Sequence, residues 1–87
     1  MNLWQLMILV AVIENKSFSK ASEAINLSQP TVSSHIKELE EYFQCSLLNR
    51  LGKITEPTRA GEILYRHAKD ALQNNLIILK RWRTMPP

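Results

Sequence analysis

The triplet Ser28-Gln29-Pro30 settles where one helix of this chain must begin. Proline lacks a backbone N–H, and its ring clashes with a preceding helical turn. It is therefore tolerated in the first turn, where amides have no intrahelical acceptor. Ser28, two residues earlier, is the kind of residue that caps such a turn. Val32, Ile36 and Leu39, with Phe43 beyond them, then follow at helical spacing. The helix is expected to run from the Ser28 cap to about Phe43 or Gln44. Its opposite face opens with Pro30, Ser33, Ser34 and Lys37, whereas Glu38, Glu40 and Glu41 crowd its far end.

The rest of the chain arranges itself around this helix. Asn2 can cap a first helix, with Gln5 placed to return the bond as in a capping box. Leu3, Leu6, Met7, Val10 and Ile13 keep helical spacing, and Trp4 and Ile8 widen the stripe, so burial on more than one side is expected. This helix should fade near Glu14-Asn15-Lys16. Ser17 is the next cap, opening a short helix with Phe18, Ala21, Ala24 and Ile25 inward and Asn26 as its breaker. Leu27 plugs the gap before Ser28. Past Gln44, two short extended pieces are expected, Leu47 to Arg50 and Lys53 to Glu56. Gly52 between them can supply the positive φ of a tight hairpin turn. Pro57 bars a longer second strand, and Thr58 caps a last helix reaching about Arg83.

A short helix, a tight turn and a serine-capped second helix make a helix-turn-helix, which places its second helix in the DNA major groove, N-terminal residues first. Small side chains at that end let the helix approach base edges, and its free amides and dipole suit phosphate. Glutamates there would be repelled by DNA; at the far end they are harmless and keep the helix soluble. Charge agrees with an anionic partner. The 87 residues carry a net +3, unevenly spread: residues 44–87 hold eight bases against three acids. A solvated basic helix would look the same by charge alone.

The motifs F18-S19-x-A21, L27-S28-Q29-P30-T31-V32-S33, I36-x-x-L39-E40, L47-x-x-R50 and T58-x-A60-G61 together resemble the N-terminal DNA-binding domain of LysR-type transcriptional regulators. The resemblance runs from Leu3 to the end of the chain. It implies a mostly α fold: a winged helix-turn-helix over residues 1–57, with three helices and a two-stranded wing, then a linker and dimerisation helix over 58–87. It further implies that Gln29, Pro30, Thr31, Ser33 and Ser34 face the bases, and that Ser17, Ser19, Lys20 and Lys37 sit near phosphates. Arg50 and Lys53 would belong to a wing at the minor groove. Gln29 suits adenine, since its amide both donates and accepts, and the Thr31 methyl suits that of thymine. Ser28 is read as an N-cap. The chain departs from the family pattern at Gln44, where glycine commonly ends the helix; at Leu48, in place of phenylalanine; at Pro57, where leucine is common; and at Ser34, often arginine, which removes the best guanine reader.

In the last helix Ala68, Leu72, Asn75, Leu79 and Trp82 recur at steps of four and three, a coiled-coil spacing that Leu64, Ala71, Leu76 and Ile78 widen. Pairing with a second chain is the expectation, set against packing on the chain's own domain. Asn75 is either a register-setting residue in the seam or an exposed residue in a polar gap. In the resembling family a larger effector-binding domain follows, so a small-molecule inducer would act only through a C-terminal domain missing here. Pro86-Pro87 fits the start of a hinge and favours an excised domain.

Other chemistries lack their residues. Cys45 is the single cysteine, which forbids an internal disulfide and suits a cytoplasmic location. Neither His35 nor His67 has a second ligand at metal spacing. The chain has only Gly52 and Gly61, so there is no glycine-rich phosphate loop. No enzyme, metal or cofactor is expected, and the apolar run from Leu6 to Ile13 is too short to span a bilayer. Double-stranded DNA, bound as an interrupted palindrome by a homodimer, is the expected partner. The alternative is a winged-helix protein-interaction module that docks a partner on its long helix. A single-strand binder would need an aromatic stacking platform that this chain lacks.

Overall fold

In the computed structural model, which describes residues 1–74, three capped helices precede a small antiparallel hairpin and a fourth helix. Helix α1 spans Leu3–Asn15, α2 Phe18–Ile25, α3 Gln29–Phe43 and α4 Arg59–Asn74. Strands β1, Leu48–Asn49, and β2, Glu56–Pro57, pair Leu48 with Pro57 and Asn49 with Glu56. This is the expected mostly α, winged helix-turn-helix architecture.

Each of the first three helices starts on the side chain that the sequence offers for it. Asn2 accepts the Gln5 N–H, Ser17 that of Lys20 and Ser28 that of Thr31. Each ends on a non-glycine residue in the left-handed region: Lys16 at φ 56°, Asn26 at 57° and Gln44 at 54°. Gln44 therefore ends α3 sharply without glycine, its N–H donating to the Glu40 and Glu41 carbonyls. The Gln5 side chain does not close a capping box. It crosses to α3, donating to Glu38 Oε2 at 2.5 Å and lying 3.3 Å from His35 Nδ1.

Helix α1 is wrapped on two sides, as its wide apolar stripe requires. Ile8, Leu9 and Val12 join Phe18, Ala21, Val32, Ile36, Leu39, Leu47 and Leu48 in the main core. Val10 faces away from it and packs with Ala68 and Leu72 of α4. Burying each such aliphatic side chain is worth about 1.5–3 kcal/mol. Two inward assignments fail. Ala24 is exposed and Ser22 is buried in its place, because about 100° per residue puts Ser22, not Ala24, on the Phe18–Ala21–Ile25 face. The Ser22 hydroxyl is satisfied by the Ser19 carbonyl at 2.8 Å. Phe43 is 38% exposed and stacks edge-on against Tyr42. By its last turn α3 has run past the core, and Leu47 and Leu48 fill that space.

The wing strands are shorter than the extended pieces suggest, and the second is displaced to include Pro57. The Thr58 N–H bond to the Leu47 carbonyl continues the ladder by one pair, whereas past Asn49 the Leu51 N–H goes to Asn49 Oδ1 and the Thr55 N–H to the Lys16 carbonyl. Residues 50–55 form a wide loop, and Gly52 needs no positive φ. Two of the glutamates at the end of α3 are structural as well as soluble. Besides Glu38 on Gln5, Glu40 Oε2 accepts the Leu47 N–H at 2.8 Å and ties the wing to the helix.

Helix α4 opens on Thr58, whose Oγ1 accepts the Gly61 N–H at 3.1 Å and donates to the Ser46 carbonyl at 2.6 Å. Beyond the first turns, Glu14 of α1 accepts from both Tyr65 OH, 2.8 Å, and Lys69 Nζ, 2.9 Å. Burial raises the Glu14 pKa, but these two hydrogen bonds outweigh it and hold the carboxyl below its ordinary value. The bonds to Glu14 push the Tyr65 and Lys69 pKa values up.

Candidate nucleic-acid interface

The outer face of α3 follows from the same periodicity that builds its inner one. With Val32, Ile36 and Leu39 fully buried, Pro30, Ser34 and Lys37 are exposed, and Ser33 lies half-buried at the edge. Gln29, in the first turn, is exposed beside them. No carboxylate lies between Gln29 and Lys37. Thr31 is half-buried, and its hydroxyl lies 2.7 Å from that of Ser28. Part of its polar capacity therefore serves the cap.

Helix α2 and the wing border this face. Ser17, Ser19, Gln29, Arg50 and Lys53 line one shallow open cleft, together with Lys16, Phe18 and Thr55. The Thr55 N–H bond to the Lys16 carbonyl, 3.0 Å, pins the wing loop to the turn before α2 and closes one wall. The Arg50 guanidinium lies 3.7 Å over the Phe18 ring. Among the described residues the one ion pair is Glu14–Lys69, so the bases of this cleft are not neutralised by carboxylates. Lys20 and Lys37 are exposed on α2 and α3 outside the cleft lining.

The cleft thus gathers Ser17, Ser19, Gln29, Arg50 and Lys53 of the residues expected at a DNA interface. Pro30, Thr31, Ser33, Ser34, Lys20 and Lys37 extend from it along the helices. Lys16, Phe18 and Thr55 had no expected part in the site. Phe18 reads as core by its helical spacing, and it is buried; only its partner across the wing gives its outer edge a second role.

The residues expected at a dimer seam separate. Ala68, 3% exposed, and Leu72, 8%, are buried against Val10 within the chain, and Leu64 packs on the main core. These three serve the chain's own domain, because α1 presents a second apolar face that α4 covers. Ala71 is exposed on the same helix. Asn75, Leu79 and Trp82, with Leu76 and Ile78, lie outside the described residues.

Residues 3–62 match the family model described as "Bacterial regulatory helix-turn-helix protein, lysR family". The chain belongs to the LysR family. Among its relatives, the HTH-type transcriptional regulator CysL of Bacillus subtilis (strain 168) is 53% identical over 60 residues, covering 69% of this chain and 20% of CysL. AlsR of the same organism is 42% identical over 72 residues, covering 83% of this chain and 24% of AlsR. The chain thus spans about a quarter or less of the length of these regulators. Among solved structures, the BenM DNA-binding domain in complex with catB site 1 DNA superposes with a TM-score of 0.86 at 32% identity, covering 97% of this chain and 93% of that one. The DNA complex of the CbnR DNA-binding domain gives 0.83 at 27% identity, covering 97% of each chain. The family membership and these superpositions agree with the winged helix-turn-helix built above. No described helix is long and apolar enough to cross a membrane.

Proposed function

We propose that this chain is the DNA-binding head of a LysR-type transcriptional regulator, with α3 in the major groove and the wing at the adjoining minor groove. One observation carries the reading. The exposed N-terminal face of α3, free of carboxylates, is continuous with a cleft whose bases have no acidic partner among the described residues. Gln29, Pro30, Ser33 and Ser34, with Thr31, stand for base contact, and Ser17, Ser19, Lys20 and Lys37 for phosphate contact. Arg50 and Lys53 stand for the wing's contacts with DNA. The relatives' names and the DNA complexes of similar domains support it.

A dimer through the linker helix is part of the proposal. With Leu64, Ala68 and Leu72 turned to their own domain, the seam rests on Ala71 and on the 75–82 stripe. On this reading residues 1–57 form the head and 58–87 the linker helix, its first turns doubling as part of the head's core. A two-fold dimer implies an interrupted palindrome with half-sites at least one helical turn apart. Titrating the protein onto a random-sequence duplex at rising salt tests the reading. Binding should weaken steeply and linearly on a log–log scale. Absent or salt-insensitive binding would leave the protein-interaction alternative.

A further inference from the structure

The wing arginine is not at the wing's tip. Arg50 follows β1 directly, and its guanidinium carbon lies over the Phe18 ring of α2, 3.7 Å from the ring centroid. The next residue in the loop, Leu51, is 97% exposed. Phe18 itself is 6% exposed, locked in the core by Ala21, Val32 and their neighbours, and so offers a fixed plate. A cation over a ring face is attracted by the ring's quadrupole, and arginine does this while leaving its edge donors available. Arg50 lines the cleft with Ser17, Ser19 and Lys53.

We propose that Phe18 is a positioning residue that holds Arg50 against α2, aimed at a backbone phosphate between the two grooves and not at the minor-groove floor. This rests on the DNA-binding reading and refines it. A guanidinium free in solvent would sample many rotamers; one stacked on a buried ring keeps its N–H fork ready for bidentate contact with phosphate oxygens. The Thr55 anchor on Lys16 holds the wing loop at the height the stack needs.

The test is a double-mutant cycle on a labelled random-sequence duplex, read as affinity and salt slope. Arg50→Ala should weaken binding about tenfold, as loss of a charged hydrogen bond does, and lower the slope by about 0.9. Phe18→Leu should match most of that affinity loss, Phe18→Tyr should restore it, and Phe18→Leu/Arg50→Ala should be no worse than Arg50→Ala. Arg50→Lys keeps the charge, loses the planar guanidinium fork, leaves the core untouched, and should bind several-fold more weakly. Should Phe18→Leu not fold, Arg50→Lys and Phe18→Tyr decide. Losses that multiply in the double variant, or an Arg50→Lys protein that binds like wild type, would overturn the proposal. So would an Arg50→Ala loss clearly larger on A-tract than on GC-rich duplex, which would put the guanidinium in the minor groove. Failure of the wild type to bind any duplex would instead remove the DNA-binding reading, and this inference with it.

Discussion

Gly61 lies so close beneath Leu47 that a Cβ on it would stand 2.0 Å from the Leu47 carbonyl oxygen. The same carbonyl accepts the Thr58 N–H at 3.0 Å, so the start of α4 and the root of the wing are fastened at one point. Glycine inside a helix normally costs about 1 kcal/mol relative to alanine. Here the close approach outweighs that cost. Gly61→Ala should destabilise the protein by about 1–3 kcal/mol, the range for overpacking, read as a lower urea midpoint at unchanged m-value. A raised midpoint would mean that helix propensity wins.

Gln44 supports the opposite substitution. It holds φ 54° at the end of α3, where a side chain costs roughly 1–2 kcal/mol that glycine avoids. Gln44→Gly should therefore raise stability by about 1 kcal/mol. Asn26→Gly, at the same conformation, should gain less, since asparagine tolerates the left-handed region better. Equal gains at the two sites in denaturant unfolding would contradict this ordering.

The Glu14–Tyr65–Lys69 group gives stability a pH dependence with two edges. The Glu14 pKa is lowered, so its contribution is present above the ordinary 4.5 and fades as pH falls through the lowered value. Tyr65 and Lys69 are raised, so theirs is present below 10.0 and 10.5 and is lost as pH climbs through the raised values. The charges are partly exposed and screened, so the effect should be small. Glu14→Gln should flatten both edges of the thermal midpoint against pH. A profile parallel to wild type would assign the edges to other groups.

Gln29 and Lys53 should separate specificity from affinity. Gln29→Ala removes a base-edge contact and should cost about 1–3 kcal/mol of discrimination between a selected site and random duplex. Lys53→Ala should weaken both alike and lower the salt slope by about one. Equal losses on the two duplexes for Gln29→Ala would deny base readout there.

Much of this was legible because it is local. Asn2, Ser17, Ser28 and Thr58 each cap the helix they precede, and Val32, Ile36 and Leu39 name the inner face of α3. Apart from Ala24 and Phe43, the misses are long-range. Gln5 had a cap within reach but found Glu38, thirty-three residues on. The coiled-coil spacing of Ala68 and Leu72 is also what a helix shows when it packs on a neighbour, and only the second face of α1 reveals which neighbour. The Thr55 bond to Lys16, which ties the wing to the turn before α2, is a pairing no local pattern announces. Phe18 as the plate for Arg50 is of the same kind, thirty-two residues apart.

The central claim is that the N-terminal face of α3, together with the cleft bordering it, meets duplex DNA. Amide chemical-shift mapping of the labelled chain during titration with a duplex tests it most directly. The largest shifts should fall at Ser17 to Lys20, Gln29 to Lys37 and Arg50 to Thr55, while the α1–α4 contact around Val10, Tyr65 and Ala68 stays still. Shifts concentrated on α4, with Gln29 to Lys37 unmoved, would contradict the claim and make the long helix the working surface.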